Sequence, residues 1–299
     1  MGYDGKEEDS ISELSHFFQP SGLPDAVSPY KDAKYVVFGV PFDSTSSFRR
    51  GSRLAPAAIR YAYRNLEAFD PWYGTTFPDL KITDLGDLIE EEDAGLVVDT
   101  VESVVSLIKA DGKIPIMLGG EHSITTGAVR NFKDCSMVII DAHSDFRRSY
   151  FGNEHNHACV THRCLEILGP GRIFSVGTRS TSREEYDDPD YGKVKFYSSR
   201  DVDKQGMEKV ADDINDKAKG RIYFSIDMDG LDPAEAPGVG TPEPYGISAR
   251  DLRLLLNRLS GRILGLDIVE MTPLYDNGNT AMLAAKIIQD FLGSREQVQ

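Results

Sequence analysis

The 299-residue sequence predicts an α/β protein, a mostly parallel sheet covered by helices on both faces. Three observations predict it. Apolar runs of strand length recur along the chain with segments of helical period between them. Those runs are continuous rather than alternating, as strands buried on both faces require. Acidic residues, histidines or a glycine pair follow several of the runs, as they do where the carboxyl ends of a parallel sheet carry a site.

Lys34-Tyr35-Val36-Val37-Phe38-Gly39 predicts a strand over 34–40, with a helix over 53–67 behind it. A strand over 80–86 leads to a helix over 92–110, where Leu96, Val97, Val101, Val104, Val105 and Ile108 share one face. A strand over 113–118 runs into Gly119-Gly120, followed by a helix over 122–131. Met137-Val138-Ile139-Ile140 marks a strand over 136–141, with a helix over 157–168. Three more pairs complete the alternation: strand 172–176 with helix 206–218, strand 221–227 with helix 248–259, and strand 262–268 with helix 279–292. No repeat, low-complexity tract or Gly/Ser/Pro linker divides the chain. It reads as one domain over residues 1–299, with 1–30 as an N-terminal extension of it.

Composition narrows the function. The net charge of −15, from 33 basic and 48 acidic residues, argues against nucleic acid and anionic membrane surfaces and favours encounter with a cationic small molecule. The longest apolar candidate, Leu96 to Ile108, is interrupted by Asp99, Glu102 and Ser103, so no membrane span is expected. The acidic stretch from Asp4 to Asp9 does not suit a signal peptide, nor Gly2 as an acylation site. Cys135, Cys159 and Cys164 are too few for a disulfide framework, and a cytoplasmic location is expected. Five of the six histidines lie between residues 122 and 162, a clustering that suits metal binding.

Asp141-Ala142-His143-Ser144-Asp145 and Ser225-Ile226-Asp227-Met228-Asp229 each place ligand-competent side chains at alternate positions where a strand ends. Alternate residues of an extended chain point the same way. A lone Asp after a strand serves as readily in an Asx-turn or a helix cap. Two such sets are different, because several carboxylates converging on one sheet edge repel one another unless a cation lies between them. With His122 from Gly119-Gly120-Glu121-His122-Ser123, the set becomes His122, Asp141, His143, Asp145, Asp227 and Asp229. Four carboxylates and two imidazoles suit two divalent ions, and an oxygen-rich set without thiolate leans toward Mn²⁺ over Zn²⁺. Two ions about 3.5–4 Å apart generate a nucleophile from water near neutral pH.

With these motifs in place, the chain resembles the ureohydrolases, the arginase and agmatinase family. The resemblance begins at Gly39-Val40-Pro41-Phe42-Asp43 and Arg50-Gly51-Ser52-Arg53, and passes through the three motifs above and His157-Ala158-Cys159-Val160. It ends with Gly240-Thr241-Pro242-Glu243-Pro244 and Asp267-Ile268-Val269-Glu270-Met271-Thr272-Pro273. It implies a three-layer arginase-like fold with about eight mostly parallel strands, and two Mn²⁺ ions held by the six ligands. His157 is implied as the proton-passing histidine, Glu270 as the carboxylate that holds a guanidinium, and Asp145 as a ligand that also hydrogen-bonds the nucleophile. Glu121 stands where many members have Asp, a change expected to be tolerated. A homotrimer or homohexamer is also implied.

The expected reaction cleaves a guanidino C–N bond to urea and an amine. Arginases grip the α-amino acid head with an Asp where this chain has Ser182, although Glu185 is retained, and they place Asn where it has Arg147. Agmatine is therefore the expected substrate, with Thr241, Ser182 and Glu185 named as substrate-binding. Aminopropyl-agmatine, arginine, guanidinobutyrate and formiminoglutamate are the alternatives. A deacetylase-like zinc amidohydrolase would use a single ion, and a noncatalytic metal-binding relative would lack His157 or Glu270; both residues are present. His155 is expected as a solvated neighbour, His162 as a packing or capping residue, and Cys159 and Cys164 as core. His16 has no supporting context.

Overall fold

The computed structural model describes residues 18, 19 and 22–297. His16 and most of the expected 1–30 extension lie outside the described residues. The strands are β1 (Phe18–Gln19), β2 (Tyr35–Val40), β3 (Phe69–Asp70), β4 (Thr75–Thr76), β5 (Ile82–Leu88), β6 (Ile114–Gly119), β7 (Ser136–Ile140), β8 (Ile173–Thr178), β9 (Lys195–Ser198), β10 (Ile222–Asp227) and β11 (Ile263–Val269). The helices are α1 (Ala55–Tyr63), α2 (Ala94–Ala110), α3 (Thr125–Val129), α4 (Val160–Leu168), α5 (Arg183–Tyr186), α6 (Ser199–Gln205), α7 (Met207–Lys217), α8 (Ala249–Leu259) and α9 (Asn279–Gln297).

Nine strands form the main sheet in the order β1-β5-β2-β6-β11-β10-β7-β8-β9, while β3 and β4 form a separate ribbon. Every neighbouring pair is parallel except β1 with β5. Eight parallel strands with an antiparallel edge match the expected architecture. The seven strands read along the sequence are all present. The eighth, β9, has only Tyr197 buried, so its sequence shows no continuous apolar run.

Side-chain alternation sends neighbouring strand residues into different layers. Tyr35 and Val37 belong to one buried cluster with Ile59 of α1, Ile214 of α7, Leu255 of α8 and Phe291 of α9. Val36, Phe38 and Val40 belong to a second cluster with Val101 and Val105 of α2, Val129 of α3 and Leu165 of α4. Three layers result. The Asp93 carboxylate accepts the Leu96 N–H at 2.9 Å and starts α2. The expected helices over 122–131 and 157–168 begin instead as 3-10 turns, His122–Ile124 and His157–Cys159, and become α-helical at Thr125 and Val160.

The chain builds β2, β5 and β6, then β7 to β9, and returns to insert β10 and β11 between β6 and β7. That return makes β6, β11, β10 and β7 neighbours at the centre of the sheet, the place where a parallel sheet opens a crevice beyond its carboxyl ends.

Candidate metal centre

Each of the four central strands delivers part of the site. His122 follows β6 across Gly119-Gly120-Glu121. A Cβ on Gly120 would lie 1.9 Å from the Phe42 carbonyl oxygen, so only glycine allows that approach, and the adjacent Glu121 N–H donates to the same oxygen at 2.8 Å. Asp141 is the first residue after β7; His143 and Asp145 continue from it. Asp227 ends β10, and its carboxylate accepts the Asp229 N–H at 2.9 Å, which turns Asp229 back toward it. Glu270 follows β11, its N–H donating to the Gly120 carbonyl at 2.8 Å. Asp145 and Glu270 have φ of 45° and 62°, conformations uncommon for side chains other than glycine and typical of residues held for function.

Five of the six expected ligands converge as two overlapping triplets, and the sixth, Asp145, lies beside the first. Ligand atoms of His122, Asp141 and Asp227 lie within 4.8 Å of one another, as do those of Asp141, His143 and Asp229. His122 Nδ1 is 3.3 Å from Asp141 Oδ2, 3.2 Å from Asp227 Oδ2 and 3.5 Å from Asp145 Oδ2. His143 Nδ1 is 3.1 Å from Asp229 Oδ2 and 3.8 Å from Asp141 Oδ1. Asp141 belongs to both triplets and offers one oxygen to each, as a bridging ligand does.

The donor set fits a pair of divalent cations. His122 Nδ1 and Asp141 Oδ2 are buried without a hydrogen-bond partner, which is costly unless something fills the space between them. Without added positive charge, burial and Asp141 push Asp145 up to about 7, and burial and Asp229 push Asp227 well above the carboxylate range. Burial opposes a charged His143, yet Asp229 outweighs it and lifts the imidazole to about 11. The cluster thus recruits protons where cations would serve.

Behind the ligands, a hydrogen-bond chain selects the His122 tautomer. Its Nε2–H faces Ser225 Oγ at 3.1 Å, and that hydroxyl donates to Asp267, which also accepts Tyr223 OH at 2.6 Å and Thr125 Oγ1 at 2.9 Å. Nδ1 keeps its lone pair for a metal. Thr241 Oγ1 donates to Asp229 Oδ2 at 3.0 Å. Glu270 Oε1 accepts the His122 N–H at 2.8 Å.

Above the centre lies a cavity of about 350 Å³. Asp145, His157, Thr241, Ser182, Glu185 and Glu270 all line it, together with Ser47, Arg147 and Tyr150. His157 is half-buried, and burial with the neighbouring His143 lowers its pKa to about 4. Ser182 caps α5 in a reciprocal box with Glu185. The Glu185 carboxylate accepts from Ser144 Oγ, Phe146 N–H and both Ser182 groups at 2.7–2.9 Å, and these bonds hold its pKa below the usual carboxylate range despite burial. Arg147 pairs with Glu184 at 2.9 Å and lies over the Tyr150 ring; Arg183 turns outward to Asp187. Cys159 and Cys164 are buried, and His162 packs on Phe146 at 5.0 Å between ring centres. His155 is only partly exposed, with Nδ1 buried. Thr45 and Ser47 were not singled out in the sequence. Both follow β2 in the polar run Asp43-Ser44-Thr45-Ser46-Ser47, which a search of strand carboxyl ends would find.

A model of the arginase family matches residues 33–293. The crystal structure of the agmatine ureohydrolase of Thermoplasma volcanium aligns with a TM-score of 0.91 and 59% identity, covering 96% of this chain and 98% of that one. An N(1)-aminopropylagmatine ureohydrolase of Thermococcus kodakarensis is 36% identical across 90% of this chain and 92% of its own. An agmatinase of Bacillus anthracis is 31% identical across 88% and 92%.

Proposed function

The chain belongs to the arginase family of hydrolases, and from that premise we propose that it uses two Mn²⁺ ions to cleave agmatine to putrescine and urea. The observation that carries the reading is the pair of ligand triplets sharing Asp141 beneath a cavity walled by Glu270. His122, Asp141, Asp145 and Asp227 would hold one ion and Asp141, His143 and Asp229 the other. When bound, the ions acidify water and stabilise negative charge.

The protein's own residues do the rest. Glu270 anchors one carboxylate oxygen on His122 N–H and presents the other to the guanidinium, whose planar charge suits a carboxylate. Asp145, held in its strained turn, accepts a hydrogen bond from the attacking water. His157, in the cavity wall, delivers a proton to the departing amine nitrogen. The fixed negative charge of Glu185 and the hydroxyls of Ser182 and Thr241 complete a wall suited to the distal ammonium. The names of the relatives from Thermoplasma volcanium and Bacillus anthracis favour agmatine. The Thermococcus kodakarensis relative keeps aminopropyl-agmatine as the second reading.

Among the described residues no helix is long and apolar enough to cross a membrane. The reading includes a cytoplasmic location, supported by three buried free cysteines, and a homotrimer or homohexamer. Urea release with Mn²⁺ from agmatine, aminopropyl-agmatine, arginine and guanidinobutyrate, and formamide release from formiminoglutamate, test it. Turnover of none of the guanidino compounds, or full activity with a single Zn²⁺, would overturn it.

A further inference from the structure

Glu121 is fully buried beside the metal ligands, yet its carboxylate points away from them into the loop after β2. One oxygen accepts the Thr45 backbone N–H at 2.8 Å; the other accepts the Thr45 hydroxyl and, at 2.7 Å, the Ser123 hydroxyl. The Thr45 hydroxyl has one hydrogen, and Glu121 takes it. Toward its remaining neighbours the oxygen can only accept. Those neighbours are the His157 backbone N–H at 3.1 Å and the His157 ring nitrogen Nδ1 at 3.2 Å. Nδ1 is therefore the protonated nitrogen of the neutral ring, and Nε2 carries the lone pair. Nε2 lies 3.5 Å from Ser47 Oγ, and both residues line the cavity.

Besides Thr45, the ring meets Ser47 Oγ, at 3.5 Å from Nε2, and the edge of Tyr150, at 6.2 Å between centres, while Phe151 in the same loop is 83% exposed. An edge limits where the imidazole can lie but does not distinguish its nitrogens; a hydroxyl that can only accept does both.

We propose that Thr45, braced by Glu121, is a positioning residue that sets the orientation and tautomer of His157. This rests on His157 passing the proton, as proposed above. In that step protonated His157 gives its Nε2 proton to the amine nitrogen as the C–N bond breaks and the bonding pair leaves with that nitrogen. The ring returns to the Nδ1–H form that Thr45 accepts.

The test is a cycle of Thr45→Val, Thr45→Ser, His157→Ala and the Thr45→Val/His157→Ala double variant. All are read in the full-length Mn²⁺-loaded enzyme by urea release from the guanidino compound it turns over fastest. Thr45→Val should lower kcat by about 10- to 100-fold with KM changed less than about threefold, since orientation is felt mainly in the transition state. Thr45→Ser, which keeps the hydroxyl, should return kcat to within about threefold of the parent. In the His157→Ala background Thr45→Val should cost less than about twofold, because a residue acting through His157 has nothing left to act on. Bound metal per chain should be equal in all four. If Thr45→Val does not fold, Thr45→Ala is read against Thr45→Ser in the same way. An impaired His157→Ala beside an unimpaired Thr45→Val refutes the inference alone, as does a Thr45→Val loss that persists in full in the double variant. A fully active His157→Ala refutes the proton-transfer reading and the inference with it.

Discussion

Replacing Glu270 by Gln removes one negative charge from the cavity wall while leaving an amide oxygen to accept the His122 N–H, now made at 2.8 Å. The fold and the metal ligands should therefore survive. The lost quantity is a charge-assisted pair with the guanidinium at a side chain that is 8% exposed, where solvent screens little. Truncating one partner of such a buried pair costs about 2–5 kcal/mol, roughly 30- to 5,000-fold in kcat/KM. Because the guanidinium is already cationic in the ground state, most of the loss should fall on KM. Glu270→Asp keeps the charge and tolerates the positive φ, but it withdraws the carboxylate by one methylene. A displacement of about 1 Å typically costs on the order of 10²-fold, and here it should fall on kcat as well as KM. The assay is steady-state urea release alongside metal analysis of the same samples. A kcat/KM for Glu270→Gln within threefold of the parent would refute the guanidinium contact, and a loss matched by metal depletion would reassign Glu270 to metal binding.

The shared ligand gives a stoichiometric prediction. Asp141→Ala should empty both metal positions, whereas His122→Ala and His143→Ala should each leave about one ion of two, measured by elemental analysis after dialysis; equal loss in all three would contradict the overlapping triplets. Substrate preference should follow the cavity charges. Arginine brings a carboxylate to a wall whose Arg147 is already paired with Glu184, while Arg183 lies outside that wall and turns to Asp187. The specificity constant for agmatine should exceed that for arginine by at least about 10²-fold, roughly 2.7 kcal/mol, and parity in competition assays would show that Arg147 reads the carboxylate. Light scattering at micromolar concentration should give three or six chains; a monomer would remove the oligomer from the reading without affecting the chemistry.

Much of this was legible along the chain because its causes are local. Ligand-competent residues at alternate positions where an apolar run ends mark Asp141, His143, Asp227 and Asp229, although Asp229 reaches its place through the 3-10 turn Met228–Gly230 and the Asp227 carboxylate rather than by extended alternation. Continuous apolar runs such as Ser136–Ile140 announce strands buried on both faces, and the four central strands were found for that reason. β9 was missed for the converse reason: a half-buried edge strand needs no such run.

The remainder depended on which segments meet. The insertion of β10 and β11 between β6 and β7 is a long-range choice, and it alone makes Asp141 common to both triplets. Thr45 and His157 are 112 residues apart and join because two loops end at one sheet edge. The sequence marks Ser182 and Glu185 as polar, but only the packed turn shows the Glu185 oxygens taken up by Ser144, Phe146 and Ser182. Residue type and local period follow from the chemistry of neighbouring residues. Partners follow from packing, where hydrogen-bonding capacity is limited and each donor or acceptor used in one contact is withdrawn from another.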